Sequence, residues 1–350
     1  MGAALLAERR PAARGSAAEA TTRWMNGYRY DFEKPIAELE RRLQETRKAP
    51  DAEKQRDTLR ALEVQLEQLK RNVYGNLTPW QRVQLARHPQ RPYTLDYVSA
   101  LLSDFIQLRG DRLFGDDRAL VGGVGKLDGR ACMIIGHQKG RDTKENLMRN
   151  FGSAHPEGYR KALRLMQLGE KFHLPVFIFI DTPGAYPGIG AEERGQAHSI
   201  AHNIREMARL RTPLYICVIG EGGSGGALGI GVGDWVAMLE NAYYSVISPE
   251  GCAAILWRDR ARAPEAAAAL KLTSNDLLQL GVVDELIDEP LGGAHRDPPA
   301  VVQRLKASLL RFLKLTDGLP LETLLERRYE RFRRIGVFSS QQQSVLSPPA

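Results

Sequence analysis

The chain of 350 residues has little cysteine and lacks the common zinc-binding motifs. Its three cysteines, Cys132, Cys217 and Cys252, lie far apart, and the first two lie inside apolar runs. Isolated cysteines of this kind are typical of buried thiols in a reducing compartment, so we expect a cytoplasmic protein. The sequence contains no Cys-x-x-Cys pair and no His-Glu-x-x-His run, so we expect the chain to bind no metal by itself.

Long apolar runs and nucleotide-binding motifs are also missing. No apolar run approaches the roughly 18 residues that indicate a membrane-spanning helix. The phosphate-loop pattern G-x-x-x-x-G-K-S/T is absent, and Gly122-Gly-Val-Gly125 lacks the third glycine of the dinucleotide fingerprint. We therefore expect neither a membrane span nor a bound nucleotide.

The net charge is close to zero in the centre of the chain and positive at its two ends. Residues 1–30 carry five arginines against two glutamates, and residues 301–336 carry nine basic against four acidic side chains, within a net charge of +7. The nearly neutral centre argues against a protein that binds nucleic acid along its whole length. The basic C-terminal segment leaves open a binding protein for nucleic acid or for an acidic partner.

The sequence pattern divides the chain into five segments. Residues 1–30 predict a disordered extension, with an organelle transit peptide or a later start of translation as alternatives for residues 1–24. The remaining segments are a helical hairpin at 31–75, a core domain at 76–290, C-terminal helices at 291–338 and a disordered tail at 339–350.

Within the core segment, apolar runs alternate with helical patterns. Strands are predicted at residues 131–136, 176–180, 214–219, 235–239 and 243–247, and helices at residues 156–172 and 191–210. Regular alternation predicts an α/β fold in which crossover helices connect parallel strands. Because the strands lie further apart than a minimal βαβ unit requires, each repeat has room for a second strand, which suits a spiral of ββα units.

Two of these strands lead into glycine-rich turns. The first is followed by residues 181–190 (DTPGAYPGIG) and the second by residues 220–229 (GEGGSGGALG). Glycine permits positive φ and a close approach of a ligand to the backbone, while the first amides of a following helix have no acceptor inside the helix. The pair of turns therefore predicts two anion sites, which stabilise developing negative charge through main-chain N–H groups.

Side chains near the turns allow other chemistry. Ser224 fits the Gly-x-Ser-x-Gly pattern of a nucleophile elbow, but the only later histidine, His295, lies in a Pro/Gly-rich linker, so a serine hydrolase is the alternative and not the main hypothesis. Arg194 suits a carboxylate substrate because a guanidinium can bind a carboxylate through two hydrogen bonds. The acids Glu192, Glu193 and Glu221 fit a solvated role or a catalytic one. The cations of residues 136–152 form either a solvated loop or a clamp for a phosphorylated ligand.

Five blocks of sequence together resemble the α subunit of the bacterial-type acetyl-CoA carboxylase carboxyltransferase. They are residues 31–40 (DFEKPIAELE), 77–89 (LTPWQRVQLARHP), 136–140 (GHQKG), 181–188 (DTPGAYPG) and 248–257 (SPEGCAAILW). The resemblance covers about residues 28–338 and departs from the family only at the two ends. It implies a crotonase-like (ClpP/crotonase) spiral of ββα units, with an N-terminal helical hairpin and C-terminal helices.

The resemblance also implies an activity and partners. Family members transfer a carboxyl group from N1-carboxybiotin, held on the biotin carboxyl carrier protein, to acetyl-CoA, which gives malonyl-CoA in the first committed step of fatty acid biosynthesis. The enzyme is expected to be active only with a β subunit in an α2β2 heterotetramer, and a separate biotin carboxylase uses the ATP. The family's zinc belongs to the β subunit, so the resemblance implies no cofactor bound by this chain.

Site residues follow from the positions that match the family. Gly225 and Gly226 match the backbone oxyanion hole on the biotin side. The carboxybiotin pocket is expected to include residues of the first glycine-rich turn and the helix after it, namely Tyr186, Pro187, Gly188, Gly190, Ala191 and Arg194. From the sequence alone we expect the substitution Gly226→Val to block this site while the fold stays intact.

Overall fold

The computed structural model describes residues 28–49 and 55–336. The extension predicted at residues 1–30 lies outside this part of the chain except for its last three residues, and the tail predicted at residues 339–350 lies wholly outside it. The chain forms two compact units that divide between Asn76 and Leu77.

The first unit is a helical hairpin of α1 (Lys34–Lys48) and α2 (Arg56–Gly75). Ile36, Leu39 and Leu43 are the buried residues of α1, and their spacing of three and four places them on one face of the helix. The Tyr74 hydroxyl donates a hydrogen bond of 2.9 Å to the buried Glu33 carboxylate. This bond joins the end of α2 to the start of α1.

The second unit contains an eight-stranded mixed sheet. The strands are β1 (Ser103–Gln107), β2 (Leu120–Leu127), β3 (Arg130–His137), β4 (Val176–Thr182), β5 (Leu214–Gly223), β6 (Trp235–Leu239), β7 (Tyr243–Ser245) and β8 (Glu285–Ile287). Their order is β1-β2-β3-β4-β5-β6-β8, and β7 pairs with the end of β5. β1, β2 and β3 are antiparallel neighbours, whereas β3, β4, β5, β6 and β8 run parallel.

Helices cover the sheet and connect its strands. They are α3 (Pro79–Ala86), α4 (Thr94–Leu101), α5 (Thr143–Met148), α6 (Pro156–Lys171), α7 (Ile189–Glu193), α8 (Gln196–Met207), α9 (Ser224–Leu228), α10 (Pro249–Trp257), α11 (Ala263–Ala269), α12 (Ser274–Gln279), α13 (Pro298–Thr316) and α14 (Leu321–Arg333). Short 3-10 turns lie at Asp31–Glu33, Asn150–Gly152 and Arg260–Arg262. Within residues 28–49 and 55–336, no helix combines the length and the apolar character that crossing a membrane requires.

The centre of the sheet is formed by β4 and β5, in which every residue is buried. A strand that is covered on both faces needs an apolar side chain at nearly every position, which explains the continuous apolar runs in both segments. Because β3, β4 and β5 are parallel, their carboxyl ends meet at one edge of the sheet. Both glycine-rich turns start from this edge.

Some predicted elements differ from the structure. The single helix predicted over residues 191–210 is wrong, because Gly195 has φ +81° and separates α7 from α8. β1, β2 and β8 were not predicted, since β1 is largely exposed, β2 contains three glycines and β8 has only three residues, so none of them has a long apolar run. The two-stranded repeat expected of a ββα spiral occurs at β2–β3 and at β6–β7, while β4 and β5 are connected by helices alone.

Candidate functional site

The two glycine-rich turns lie side by side at the edge where β4 and β5 end. The two strands pair in parallel from Val176 with Leu214 to Thr182 with Gly222. We call residues 183–188 the first turn and residues 223–226 the second turn. Helix α7 begins directly after the first turn, and α9 begins inside the second.

Two glycines hold the turns in direct backbone contact. A Cβ atom at Gly226 would overlap the carbonyl carbon of Gly184 and would lie 2.5 Å from the amide nitrogen of Ala185. A Cβ atom at Gly223 would overlap the carbonyl oxygen of Pro183. Since real side chains do not approach backbone atoms so closely, glycine at these two positions is what lets the turns touch.

Other glycines of the turns face open space. A Cβ atom at Gly225 would meet only Ile200 Cδ1, at 3.6 Å, and one at Gly184 would meet nothing within 4 Å. Ser224, Gly225 and Gly226 are the first three residues of α9, so their amides have no acceptor within that helix. The second turn therefore combines backbone donors with room for an anionic group beside Gly225.

The aromatic side chain of the first turn is fixed by its neighbours. Tyr186 N–H donates to the carbonyl oxygen of Ala154 at 3.0 Å, and the tyrosine ring stacks on His155 with 4.1 Å between ring centroids. Pro187 is exposed, and Gly188 is the N-cap residue of α7. A Cβ atom at Gly188 would overlap the tyrosine ring, so this glycine makes room for the ring.

The rest of the predicted carboxybiotin pocket lies on and just after α7. Gly190 is half-buried and Ala191 is buried, so the methyl group of Ala191 packs inside the fold. Arg194 already has a carboxylate partner: its Nε and Nη2 donate to the two oxygens of Glu157 at 3.1 and 2.9 Å, and its guanidinium lies over the Phe114 ring. The hydrogen bond with Glu157 raises the pKa of Arg194. A substrate carboxylate would compete with Glu157 for this guanidinium.

A largely buried network of charged side chains lies at the carboxyl ends of β4 and β5, where the two turns begin. Lys139 Nζ is 2.7 Å from Asp181 Oδ1 and 2.7 Å from Glu221 Oε2. The other oxygen of Glu221 accepts hydrogen bonds from Arg87 Nε at 2.7 Å and from the Tyr243 hydroxyl at 2.8 Å. The network connects the carboxyl ends of β4 and β5 to the segment after β3.

The charges in this network hold one another in the ionised form. Burial alone would raise the pKa of Glu221, but the charges of Lys139 and Arg87 outweigh it and bring the pKa to about 2. Burial would lower the pKa of Lys139, and the carboxylates of Asp181 and Glu221 outweigh that effect and raise it. Because the opposite charges are in contact, the group can stay ionised away from solvent.

Sequence reasoning missed this network. Glu221 had been open to a solvated role, yet it is buried. Lys139 had been grouped with the other cations of residues 136–152, but it alone of them points between two buried carboxylates, whereas Arg141 binds Asp96 and Arg149 binds Glu145. The signal in the sequence was the position of Lys139, Asp181 and Glu221 near the ends of three successive apolar strands.

The structure gives Ser224 one property of a nucleophile elbow. Its backbone has φ +52° between β5 and α9, and its side chain is exposed. Within the described part of the chain, however, no hydrogen bond joins its hydroxyl to a histidine, which is the contact that would activate a serine nucleophile. In the same part of the chain, no three His, Cys, Asp or Glu side chains are arranged to hold a metal ion.

Comparisons with known proteins agree with one another. Residues 29–336 match the family described as acetyl co-enzyme A carboxylase carboxyltransferase-like. The chain is 57% identical over 310 residues to the acetyl-coenzyme A carboxylase carboxyl transferase subunit alpha of Burkholderia mallei, which covers 88% of this chain and 96% of the relative. It is 55% identical over 313 residues to the subunit of the same name from Geobacter metallireducens, covering 89% and 98%.

Solved structures share the fold at much lower sequence identity. Transcarboxylase 12S superposes with a TM-score of 0.53 at 19% identity, covering 69% of this chain and 46% of the other. The beta subunit of geranyl-CoA carboxylase from P. aeruginosa superposes with a TM-score of 0.51 at 20% identity, covering 70% and 46%. These likenesses confirm the predicted crotonase-like fold.

Proposed function

The chain belongs to the acetyl-CoA carboxylase carboxyltransferase family as an alpha subunit, and from this premise we propose that its two glycine-rich turns form the carboxybiotin side of a carboxyl-transfer site. The substrates are N1-carboxybiotin on a carrier protein and acetyl-CoA, and the product is malonyl-CoA. In the transfer, the bond between N1 and the carboxyl carbon breaks, a carbon–carbon bond forms at the acetyl methyl group, and the methyl proton passes to biotin.

Backbone amides are the groups with which this chain assists the reaction. The amides of Gly225 and Gly226 would donate to the ureido oxygen, where negative charge develops as the carboxyl group leaves N1. Each such donor in a buried site contributes roughly 2.7–4 kcal/mol to lowering the barrier. Tyr186 and Gly188 would shape the wall of the pocket on the side of the first turn.

One observation carries this proposal. Gly226 packs against the first turn without space for a side chain, while Gly225, the residue before it, faces open space at the start of a helix. The fold thus packs the second turn against the first at Gly226 and leaves open space beside Gly225, at the start of α9. Preorganised donors of this kind stabilise a developing oxyanion because they need no reorganisation during the reaction.

The assembly is part of the same proposal. Alpha subunits belong to multi-subunit carboxyltransferases, so the chain has a beta-subunit partner. We extend this to an α2β2 heterotetramer in the cytoplasm that receives carboxybiotin from the carrier protein and its biotin carboxylase. The second oxyanion, on the acetyl-CoA side, would be stabilised by the β subunit, which would also hold the zinc.

The test is to assay biotin carboxylation from malonyl-CoA with this chain alone, with the matching β subunit alone and with the two mixed. We expect activity only in the mixture, because each subunit supplies half of the site. An inactive mixture in which the complex has been verified by mass would refute the proposal.

A serine variant is the matched control for the chemistry. Ser224→Ala removes the only hydroxyl of the second turn but leaves its amides in place, so we expect the mixture to keep its activity. A serine hydrolase would instead lose activity with this variant, and the isolated chain would hydrolyse an activated ester.

A further inference from the structure

The backbone of β5 is irregular just before the second turn. Its pairing with β4 shifts between Ile180 and Thr182, so β5 has extra residues opposite β4 there. The Glu221 amide donates to Asp181 Oδ1 at 3.0 Å, and a Cβ atom at Gly220 would lie 2.5 Å from the same oxygen. A side-chain carboxylate thus accepts a main-chain hydrogen bond at the bulge that directs β5 into the second turn.

The Asp181 carboxylate needs a neighbouring cation to stay buried and ionised at the bulge of β5. Its side chain is only 2% exposed, and Lys139 Nζ contacts the very oxygen that accepts the Glu221 amide. The same ammonium contacts Glu221 Oε2, so it bridges β4 and β5 at the bulge. A buried carboxylate without a counter-charge is strongly destabilised, so the local backbone path depends on this ammonium.

We propose that Lys139 is a positioning residue, whose ammonium bridge to Asp181 and Glu221 holds the second turn in the place where its amides face the reacting group. The inference rests on the proposed function, since it explains how those amides are aligned. Lys139 acts through the backbone of β5 and need not touch the substrate.

Arg87 provides the contrast that makes the inference testable. Its Nε donates to Glu221 Oε1 at 2.7 Å, and its Nη1 donates to Glu250 Oε1 at 2.5 Å. Both carboxylates therefore bind Arg87, although Glu221 is buried and also accepts from the Tyr243 hydroxyl, whereas Glu250 is half-buried. Only Glu221 also binds Lys139.

The first experiment compares Glu221→Gln with Glu250→Gln in the assembled α–β complex. Either variant leaves Arg87 one carboxylate, and Lys139 keeps Asp181, so both are expected to fold. Because a displacement of about 1 Å in an active site can lower the rate about a hundredfold, we expect Glu221→Gln to lower kcat between about tenfold and a hundredfold without raising KM for malonyl-CoA. Glu250→Gln should stay within about twofold of the wild type.

The second experiment measures the pH profile of Lys139→Met. Without the ammonium, a carboxyl proton can replace it as the bridge between the two side chains. We therefore expect the turnover of Lys139→Met, relative to wild type, to rise as the pH is lowered from about 8 to about 6. Lys139→Met combined with Glu221→Gln should show no such rise, whereas a loss of stability alone would make both variants worse at low pH.

The other ionisable groups around the bridge are the same in Lys139→Met and in its combination with Glu221→Gln. They are Arg87 directly after α3, Arg91 and Tyr93 before α4, Tyr97 of α4, His137 at the end of β3, Tyr243 of β7 and Glu250 of α10. Comparing each variant with the wild type at the same pH removes their contribution.

Two results would overturn the inference. One is a Glu221→Gln complex with the kcat of the wild type, and the other is an equal loss in Glu221→Gln and Glu250→Gln. Both results come from the kcat values of Glu221→Gln and Glu250→Gln, so they can be obtained even if the Lys139→Met variant does not fold. A wild-type complex without activity would instead refute the proposed function, so the two failures are distinguishable.

Discussion

Gly226 of the second turn lies against the backbone of Gly184 in the first turn, with no space for even a methyl group between them. The contact sets the distance between the two turns. It therefore fixes where the amides at the start of α9 lie relative to the wall formed by the first turn.

Gly226→Ala should destabilise the fold as well as the activity. Its Cβ would overlap main-chain atoms, which cannot move aside as a flexible side chain can, and overpacking of this kind costs about 1–3 kcal/mol. Denaturant unfolding of the two proteins measures the difference. Gly225→Ala is the control, because its Cβ makes an ordinary contact of 3.6 Å with Ile200 Cδ1, and its stability should be unchanged.

The overlap at position 226 also affects Gly226→Val, which is expected from the sequence to preserve the fold. Because its larger side chain would meet the same main-chain atoms, this variant is not a clean test of the site.

Gly225→Val should separate activity from folding. Its side chain would point into the open space beside the amides, so it should block the anionic group while the core stays intact. We expect turnover of the α–β complex to fall by at least about a hundredfold, as it does when an oxyanion donor is lost. The unfolding midpoint and the complex mass should match the wild type. Normal turnover in an assembled Gly225→Val complex would show that residue 225 is not part of the site.

A pair of neutral substitutions can distinguish whether Arg194 binds the substrate or only forms the ion pair with Glu157. If Arg194 binds the transferred carboxylate, Arg194→Gln should raise KM for malonyl-CoA at least about tenfold, since a hydrogen bond to a charged group contributes about 1.5–3 kcal/mol. Glu157→Gln frees the guanidinium from its partner, so KM should stay the same or fall. Equal increases in KM for both variants would show that Arg194 serves the ion pair and not the substrate.

The protein should lose stability in weak acid through His295. Burial, followed by the charge of the stacked His88, lowers the pKa of His295 to about 2. Between that value and the ordinary pKa of 6.5, the unfolded chain binds a proton that the folded chain does not, so the free energy of unfolding falls as the pH falls. The loss is at most about 1.4 kcal/mol per pH unit for this group.

His295→Phe tests that expectation. Both ring nitrogens of His295 are buried and form no hydrogen bond with residues 28–49 or 55–336, so a phenyl ring can keep the stacking on His88 and lose none of the bonds described there. Denaturant unfolding between about pH 7 and pH 5 should show a shallower loss of stability than in the wild type. The exposed residue His198, changed to Phe, controls for replacing a histidine ring. An unchanged pH dependence in His295→Phe would contradict the prediction.

The centre of the fold could be predicted from the sequence because burial on both faces leaves a direct trace there. Runs of apolar residues marked β3, β4, β5 and β6, and glycines marked the turns after β4 and β5. β1 and β8 left no such trace, since one is largely exposed and the other has only three residues. The break at Gly195 was also missed, because helical periodicity continues across it.

The sequence by itself determined the family, the central strands and the positions of the two glycine-rich turns, because these depend on local composition and on runs of residue types. Only the tertiary structure decided which glycine packs and which stays open, that Arg194 is paired with Glu157, and that Lys139 bridges Asp181 and Glu221. These features depend on residues tens of positions apart that meet only when parallel strands align their ends.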